Sequence, residues 1–176
     1  MPRIIDYPQV LATMQSRSFV SLYHNSGAFG FDSADGVKTL GFAEDDDPTI
    51  RPEARAALRK VDDVTAELDR IIAMSASDAW LMPKSHWHYE LHFGNRELLE
   101  SALPQIGIDP AALRERNDGS AVAFSSDEHP QLCAVIRRLL RELTGSDFLL
   151  AFADAATLVT IHHHKQLWVQ TRDPRL

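Results

Sequence analysis

The stretch PKSHWHYELHFG, residues 83–94, decides how the rest of this chain is interpreted. Apolar and polar side chains alternate along it. The apolar set is Trp87, Tyr89, Leu91 and Phe93, and the polar set is His86, His88, Glu90 and His92. Because successive side chains of a strand point to opposite faces, the alternation predicts a β-strand with one face in the core and one face available to a ligand.

Patterns on both sides of this stretch predict further strands and helices. Strands are expected at 18–24, 28–32, 37–43, 79–82, 121–124, 147–153 and 157–170, and helices at 6–16, 52–74, 95–107, 109–113 and 126–145. The first three strands should form an antiparallel unit, and the last two a terminal hairpin around 154–156. Together they predict an α+β fold, a mostly antiparallel sheet with helices packed on one face.

Length and composition favour one folded domain. The chain has 176 residues, of which 44% are hydrophobic and 24% are charged, a balance typical of globular proteins. A domain of this size buries roughly 70% of the surface that its unfolded chain exposes. We therefore expect a single domain over residues 1–176, with two structural halves that meet near 75–78.

The net charge and the single cysteine limit the classes of partner and site. A formal net charge of −7 repels a phosphate backbone, so nucleic acid is not an expected partner. Cys133 is the only cysteine, which excludes four-thiolate zinc sites and favours a reducing, cytoplasmic setting. The sequence has neither the roughly 20 consecutive apolar residues of a membrane helix nor a signal-peptide pattern. We expect no membrane partner and no export.

Clustering of histidines is the main chemical signal. Six of the eight histidines lie at 86, 88, 92 and 162–164. On a strand, residues two apart are separated by roughly 6.5–7 Å and residues four apart by roughly 13 Å. Since zinc binds an imidazole nitrogen at about 2.0–2.1 Å, only residues two apart on this strand can share an ion.

On the predicted strand, His86 and His88 can therefore share one ion, or Glu90 and His92 can. A third ligand must come from another strand, and His162 or His164 can supply it if the last strand lies beside the histidine strand. Such a site keeps a position open for water and lowers the pKa of that water. With Glu90 as general base, it predicts a mononuclear metal-dependent hydrolase.

The alternative is that these histidines lie on the solvated face of an antiparallel sheet and bind no metal. On such a face, polar residues alternate with apolar ones whatever the function. We expect this alternative. The sequence has no His-Glu-x-x-His zinc-binding motif, no Walker loop for nucleotide phosphates and no Gly-x-Ser-x-Gly motif for a serine nucleophile. The leading hypothesis is thus a binding protein that needs no cofactor and uses the face bearing His86, His88, Glu90, His92, His162 and His164. A protein partner, a small ligand and a second copy of the chain all remain candidates, and whether the protein is an enzyme is left open.

Three other features each have two interpretations. The acidic segment 44–48 is expected to be a solvated loop rather than a site for a hard cation. Cys133 is expected to be a buried structural thiol rather than a nucleophile. The basic stripe Arg137, Arg138 and Arg141 is expected to be a solvated helix face rather than a phosphate or partner site.

Overall fold

The computed structural model describes residues 1–44 and 57–176. Its α-helices are α1 (Tyr7–Ser16), α2 (Val64–Ala73), α3 (Trp87–His92), α4 (Arg96–Ala102), α5 (Ala111–Arg114) and α6 (His129–Glu142). Its strands are β1 (Arg3–Ile5), β2 (Phe19–Ser21), β3 (Phe29–Phe31), β4 (Lys38–Ala43), β5 (Leu58–Lys60), β6 (Ala79–Pro83), β7 (Ala121–Phe124), β8 (Phe148–Phe152), β9 (Thr157–His162) and β10 (Gln166–Thr171). Within the described ranges, no helix is long and apolar enough to cross a bilayer.

One large sheet joins strands from both halves of the chain. Its order is β1-β7-β6-β8-β9-β10-β4-β5, and its neighbours are antiparallel apart from the parallel pair β4 and β5. Strands β2 and β3 form a separate antiparallel pair. The predicted α+β class with a mostly antiparallel sheet is therefore confirmed.

Helices α2 and α6 cover one face of this sheet. Asp63 caps α2 by accepting hydrogen bonds from two backbone N–H groups of its first turn, which satisfies donors that a helix start leaves unpaired. The apolar residues of both helices recur every three or four positions, so each helix buries one stripe. Leu68 of α2 and Ile136 of α6 are fully buried in one cluster with Phe148 and Ile161 of the sheet.

The opposite face is covered at one end by α1 and the β2–β3 pair. Val10 and Met14 of α1 and Phe19 of β2 pack in a second cluster with Trp80 and Leu149 of the sheet. Helix α1 therefore lies across the sheet from α2 and α6. The part of the same face that is formed by β9, β10 and β4 borders a cleft.

The histidine stretch is a helix, so the predicted strand at 86–92 is wrong. His86 has extended backbone, and its ring accepts a hydrogen bond from the Tyr89 N–H, which makes it the N-cap of α3. Trp87, Glu90 and Leu91 are buried, with the three- and four-residue spacing of a helix rather than the two-residue spacing of a strand. Tyr89 and Phe93, assigned to the core by the alternation, are 44% and 74% exposed.

The long helix predicted at 52–74 is also wrong over residues 57–63. Residues 58–60 form β5, which extends the sheet beside β4, and the helix begins only at Val64. The start of the predicted helix at 52–56, like most of the acidic segment 44–48, lies outside the described residues.

The end of the chain contains one more turn than predicted. Residues 157–170 were expected to form one strand, but His163, His164 and Lys165 form a turn between β9 and β10. Lys165 has a positive φ of 59° there, the left-handed conformation that tight turns use. The hairpin of β8 and β9 is confirmed, whereas β4 pairs with β10 and not with the β2–β3 hairpin.

Candidate functional site

A cleft of about 690 Å³ lies on the second face of the large sheet. Thr160 and His162 of β9 and Trp168 of β10 line it from the sheet, and Phe29 and Phe31 of β3 line it from the small hairpin. Thr160 is paired with Trp168 across the two strands, and directly paired residues of antiparallel strands share a face. The sheet register therefore places His162, two residues along β9 from Thr160, on the same face as Trp168 and diagonal to it.

Two charged residues, Lys84 and Asp147, also line the cleft. Lys84 follows β6 and Asp147 precedes β8, and the antiparallel pairing of these strands brings the two residues together. The backbone N–H of Lys84 donates to the Asp147 carbonyl at 3.0 Å, and the Lys84 ammonium lies 3.4 Å from Asp147 Oδ2. The pair is thus fixed by both backbone and side chain.

Asp147 also organises the second histidine cluster. His163 Nδ1 lies 2.9 Å from Asp147 Oδ1, and the His163 backbone N–H donates to the same oxygen at 3.3 Å. His162 Nε2 lies 3.9 Å from that oxygen. One carboxylate therefore faces one ammonium and two imidazoles at the edge of the cleft.

The electrostatics of this cluster lower the pKa of both Asp147 and His162. Burial acts to raise the pKa of Asp147, but the hydrogen bond from His163 and the charges of His162 and Lys84 outweigh it and lower the pKa. For His162, burial lowers the pKa and outweighs the raising effect of Asp147. The arrangement favours an ionised Asp147 beside a neutral His162.

Hydrogen bonds assign the tautomers of two of these rings. His162 Nδ1 accepts from the His164 backbone N–H at 3.2 Å, so the neutral ring carries its proton on Nε2. His163 Nδ1 must carry a proton to donate to the Asp147 carboxylate, which leaves its Nε2 lone pair free in the neutral form. His162 is therefore arranged as a hydrogen-bond donor, and His163 as an acceptor or ligand.

Two groups among residues 1–44 and 57–176 have three potential metal-binding atoms within 4.8 Å of one another: His162 with His163 and His164, and His88 with His92 and Glu115. Neither group combines the two histidine clusters in the way that the predicted set of His86, His88 and His162 or His164 would. His86 caps α3 instead, with its ring centroid 6.1 Å from that of His88.

Glu90, the expected general base, is fully buried. Its carboxyl oxygens accept hydrogen bonds from Ser85 Oγ at 2.7 Å, from Asn95 Nδ2 at 2.9 Å and from Ser146 Oγ at 2.9 Å. These bonds connect α3 with the start of α4 and with the loop before β8. The geometry gives Glu90 a structural role away from solvent.

The sequence did not point to Asp147, Lys84 or Glu115. For Trp168 it allowed a pocket position but favoured the core, although Trp168 lies two residues from both Gln166 and Gln170 and so shares the polar face of its strand. Lys84 and Asp147 meet only through the pairing of β6 with β8. Glu115 approaches α3 because the end of α5 packs against that helix, and neither approach has a sequence signature.

The thiol of Cys133 lacks the properties of a nucleophile. Cys133 is a buried free cysteine, and burial, with Asp69 as the next cause, raises the pKa of its thiol to about 11. A thiol with a raised pKa is protonated at neutral pH and unreactive. This agrees with a structural role in α6.

Comparisons with models of protein families, with curated proteins and with solved structures gave no match. The chemistry of the site is therefore inferred from its own residues.

Proposed function

We propose that this protein is a binding protein and that its ligand is a small organic molecule held in the cleft on the second face of the sheet. The observation that carries the proposal is the placing of Trp168, His162 and the Lys84–Asp147 pair around one cleft of about 690 Å³. Small-molecule sites commonly have volumes of roughly 300–1,000 Å³, an apolar and aromatic lining and a few fixed polar groups.

The lining argues for a ligand with an apolar, planar body. Phe31 and Trp168 are partly exposed and present aromatic surface to the cleft, with the buried Phe29 beside them. Aromatic side chains stack on flat ligands in offset or edge-to-face geometry. Trp168 is held in place because its indole N–H donates to Gln166 Oε1 at 3.0 Å. A preorganised aromatic wall of this kind reduces the entropy lost on binding.

The polar end of the cleft argues for a ligand with a hydrogen-bond acceptor. Lys84 offers an ammonium, and His162 offers an Nε2 proton in the tautomer that its backbone contact requires. A carboxylate or carbonyl on the ligand would accept from both. We therefore propose an aromatic carboxylate, or a carbonyl compound of similar shape, as the ligand class.

The leading sequence hypothesis placed binding on a histidine-bearing sheet face, and His162 is the member of that set which lines the cleft. Metal-dependent hydrolysis is the second candidate, and the group of His162, His163 and His164 supports it. Two observations weigh against it. The His162 Nδ1 lone pair accepts a hydrogen bond from the His164 backbone N–H, and Glu90 is fully buried with its carboxyl oxygens hydrogen-bonded to Ser85 and Ser146. No cofactor is required by the proposed binding function.

The test is a titration of the isotope-labelled protein with 2-naphthoate, followed by amide chemical shifts. 2-Naphthamide, which has the same ring system without the charge, serves as the matched ligand. We expect 2-naphthoate to perturb residues of β3, β9 and β10, and to bind more tightly than 2-naphthamide. Lys84→Gln should weaken binding of the carboxylate about tenfold, the scale of one charge-assisted hydrogen bond.

His24→Gln, at an exposed position outside the cleft lining, is the control and should leave the affinity unchanged. Perturbations that avoid β3, β9 and β10, or equal affinities in wild type and in both Lys84→Gln and Trp168→Leu, would overturn the proposed site. Hydrolysis of naphthyl esters that depends on added zinc and is lost in His163→Ala would favour the second candidate instead.

A further inference from the structure

We infer that His88, His92 and Glu115 form a binding site for one divalent transition-metal ion, with zinc as the best match. The three side chains are contributed by α3 and by the residue that follows α5. Their ligand atoms lie within 4.8 Å of one another. The site is separate from the cleft, and neither its residues nor its chemistry depend on the proposed function.

Helical spacing brings the two histidines together. His88 and His92 are four residues apart on α3, and side chains at this spacing are neighbours on one helix face. Their ring centroids are 4.4 Å apart. On the strand predicted from the sequence, the same residues would be roughly 13 Å apart, so it is the helix that creates this pair.

His88 is oriented as metal ligands usually are. Its Nδ1 lies 3.1 Å from the Arg114 carbonyl oxygen, and because a carbonyl can only accept, Nδ1 must carry the proton. The neutral ring then has its lone pair on Nε2. Metal-binding histidines almost always donate their second ring N–H in this way, which fixes both tautomer and orientation.

The segment that carries Glu115 is held against α3 by its backbone. The His88 backbone N–H donates to the Arg116 carbonyl at 2.9 Å, so residues 114 and 116 both contact His88. The flanking guanidinium groups are paired with other carboxylates: Arg114 with Glu100 at 2.6 Å, and Arg116 with Asp6. Glu115 Oε1 lies 3.8 Å from His92 Nε2.

The ligand set matches a borderline metal ion. Two imidazoles and one carboxylate suit zinc and its transition-metal neighbours, whereas magnesium and calcium prefer oxygen ligands alone. Tetrahedral zinc with bonds of about 2.0–2.1 Å places its ligand atoms roughly 3.4 Å apart. His92 and Glu115 have side chains that are 34% and 79% exposed, so both can rotate to close the remaining distance.

Exposure of these side chains also leaves a coordination position facing solvent. Three protein ligands and an open position describe a site that can take a water molecule or a donor from a partner. Binding of the ion would join α3 to the segment after α5. The group His162, His163 and His164 is a weaker candidate, because His162 uses its Nδ1 lone pair to accept from the backbone.

The test is calorimetric titration of Zn²⁺ into the protein, purified without a histidine tag and treated with a chelator. We expect one equivalent to bind and the thermal unfolding midpoint to rise with zinc, since an ion that binds only the folded state stabilises it. Removing one ligand should weaken zinc binding at least about tenfold, because even changing a residue that only hydrogen-bonds to a ligand costs about 10–100-fold. His92→Ala and Glu115→Gln change exposed side chains and are therefore the variants of choice.

Two controls separate this site from the other histidines. His24→Ala, at an exposed position, should leave zinc affinity unchanged, and the double variant His163→Ala, His164→Ala should retain the one equivalent. Absence of stoichiometric zinc binding in the wild type would overturn the inference. Unchanged affinity in His92→Ala, with loss in the double variant, would overturn it too, because the ion would then lie at 162–164.

Discussion

The indole of Trp168 lies directly over Gly41. The two residues are paired across β10 and β4, and a β-carbon at position 41 would stand only 2.7 Å from Trp168 Cζ3 and 2.9 Å from Leu58 Cδ2. Only glycine leaves room for the ring at this point. The position of Trp168 in the cleft therefore depends on a glycine in the neighbouring strand.

We predict that Gly41→Ala displaces Trp168 and destabilises the protein by about 1–3 kcal/mol, the usual cost of overpacking. The measurement is denaturant unfolding, combined with tryptophan fluorescence of the folded state. The double variant Gly41→Ala, Trp168→Leu should recover part of the loss, giving a coupling energy above about 0.5 kcal/mol. Strictly additive losses would mean that the strand shifts rather than the ring.

The sequence predicted the class of fold well but not the histidine stretch, and the reason is physical. In α3 the buried positions are Trp87, Glu90 and Leu91, so one of the three is a carboxylate. Glu90 is buried because Ser85, Asn95 and Ser146 donate hydrogen bonds to its carboxylate. A hydrophobicity pattern counts such a residue as polar, so the helical spacing of the buried positions cannot be recognised from it. The alternation of polar and apolar residues that remained is then coincidental.

The cleft and the proposed metal site were each predictable only in part, because contacts between distant segments build both. His162 could be placed on a polar strand face from its own strand, and His88 could be named as a metal ligand. Its partner Glu115 could not, since the contact between α3 and the end of α5, through the Arg114 carbonyl, has no local signal. Likewise Asp147 meets Lys84 through strand pairing alone.

Glu90→Ala should destabilise the protein by at least about 2 kcal/mol, because one buried donor, Asn95, and two partly buried donors, Ser85 and Ser146, would lose their acceptor. Urea unfolding measures the change. Glu97→Ala, at an exposed position in the first turn of α4, is the matched control and should stay within about 0.5 kcal/mol of wild type. A small effect of Glu90→Ala would contradict the structural role assigned to this carboxyl group.

Leu68→Ala should cost roughly 2–5 kcal/mol, the range for a leucine deleted from a packed core. Leu68 is fully buried between α2 and the sheet. Ala66→Ser, at an exposed position of the same helix, should change the free energy of unfolding by no more than about 0.5 kcal/mol. If the loss in Leu68→Ala is below about 1 kcal/mol, the buried stripe of α2 has been wrongly assigned.

We predict no detectable binding of random duplex DNA near physiological salt. The net charge is −7, and two arginines of the basic stripe on α6 are paired with carboxylates, Arg137 with Asp69 and Arg138 with Glu142. Fluorescence anisotropy with a labelled duplex is the measurement. A salt-sensitive, sub-micromolar shift that disappears in Arg141→Gln would show that this helix binds phosphate after all.

The last prediction concerns stability against pH, and the lowered pKa values of His162 and Asp147 set two separate windows. Because the folded pKa of His162 is lowered, mainly by burial, the unfolded state binds more protons once the pH falls below about 6.5. Stability should therefore begin to fall there. The pKa of Asp147 is also lowered in the folded state. Its contribution to stability is therefore present above the pKa of the unfolded state, near about 3.9, and is lost as the pH falls through the pKa of the folded state.

Substitutions should remove the two declines in stability one at a time. His162→Gln should flatten the decline that begins below about pH 6.5, and Asp147→Asn should flatten the decline below about pH 4, since each variant deletes the titrating group. Asp147→Asn also takes away the carboxylate that favours protonated His162, so the decline below about 6.5 should become steeper or longer in that variant. Unfolding midpoints measured by circular dichroism from about pH 3 to about pH 8 cover both windows, with His24→Gln as the control. If His162→Gln and His24→Gln give the same profile as wild type, the Asp147 cluster does not govern acid stability, and the electrostatic description of the cleft would have to be abandoned.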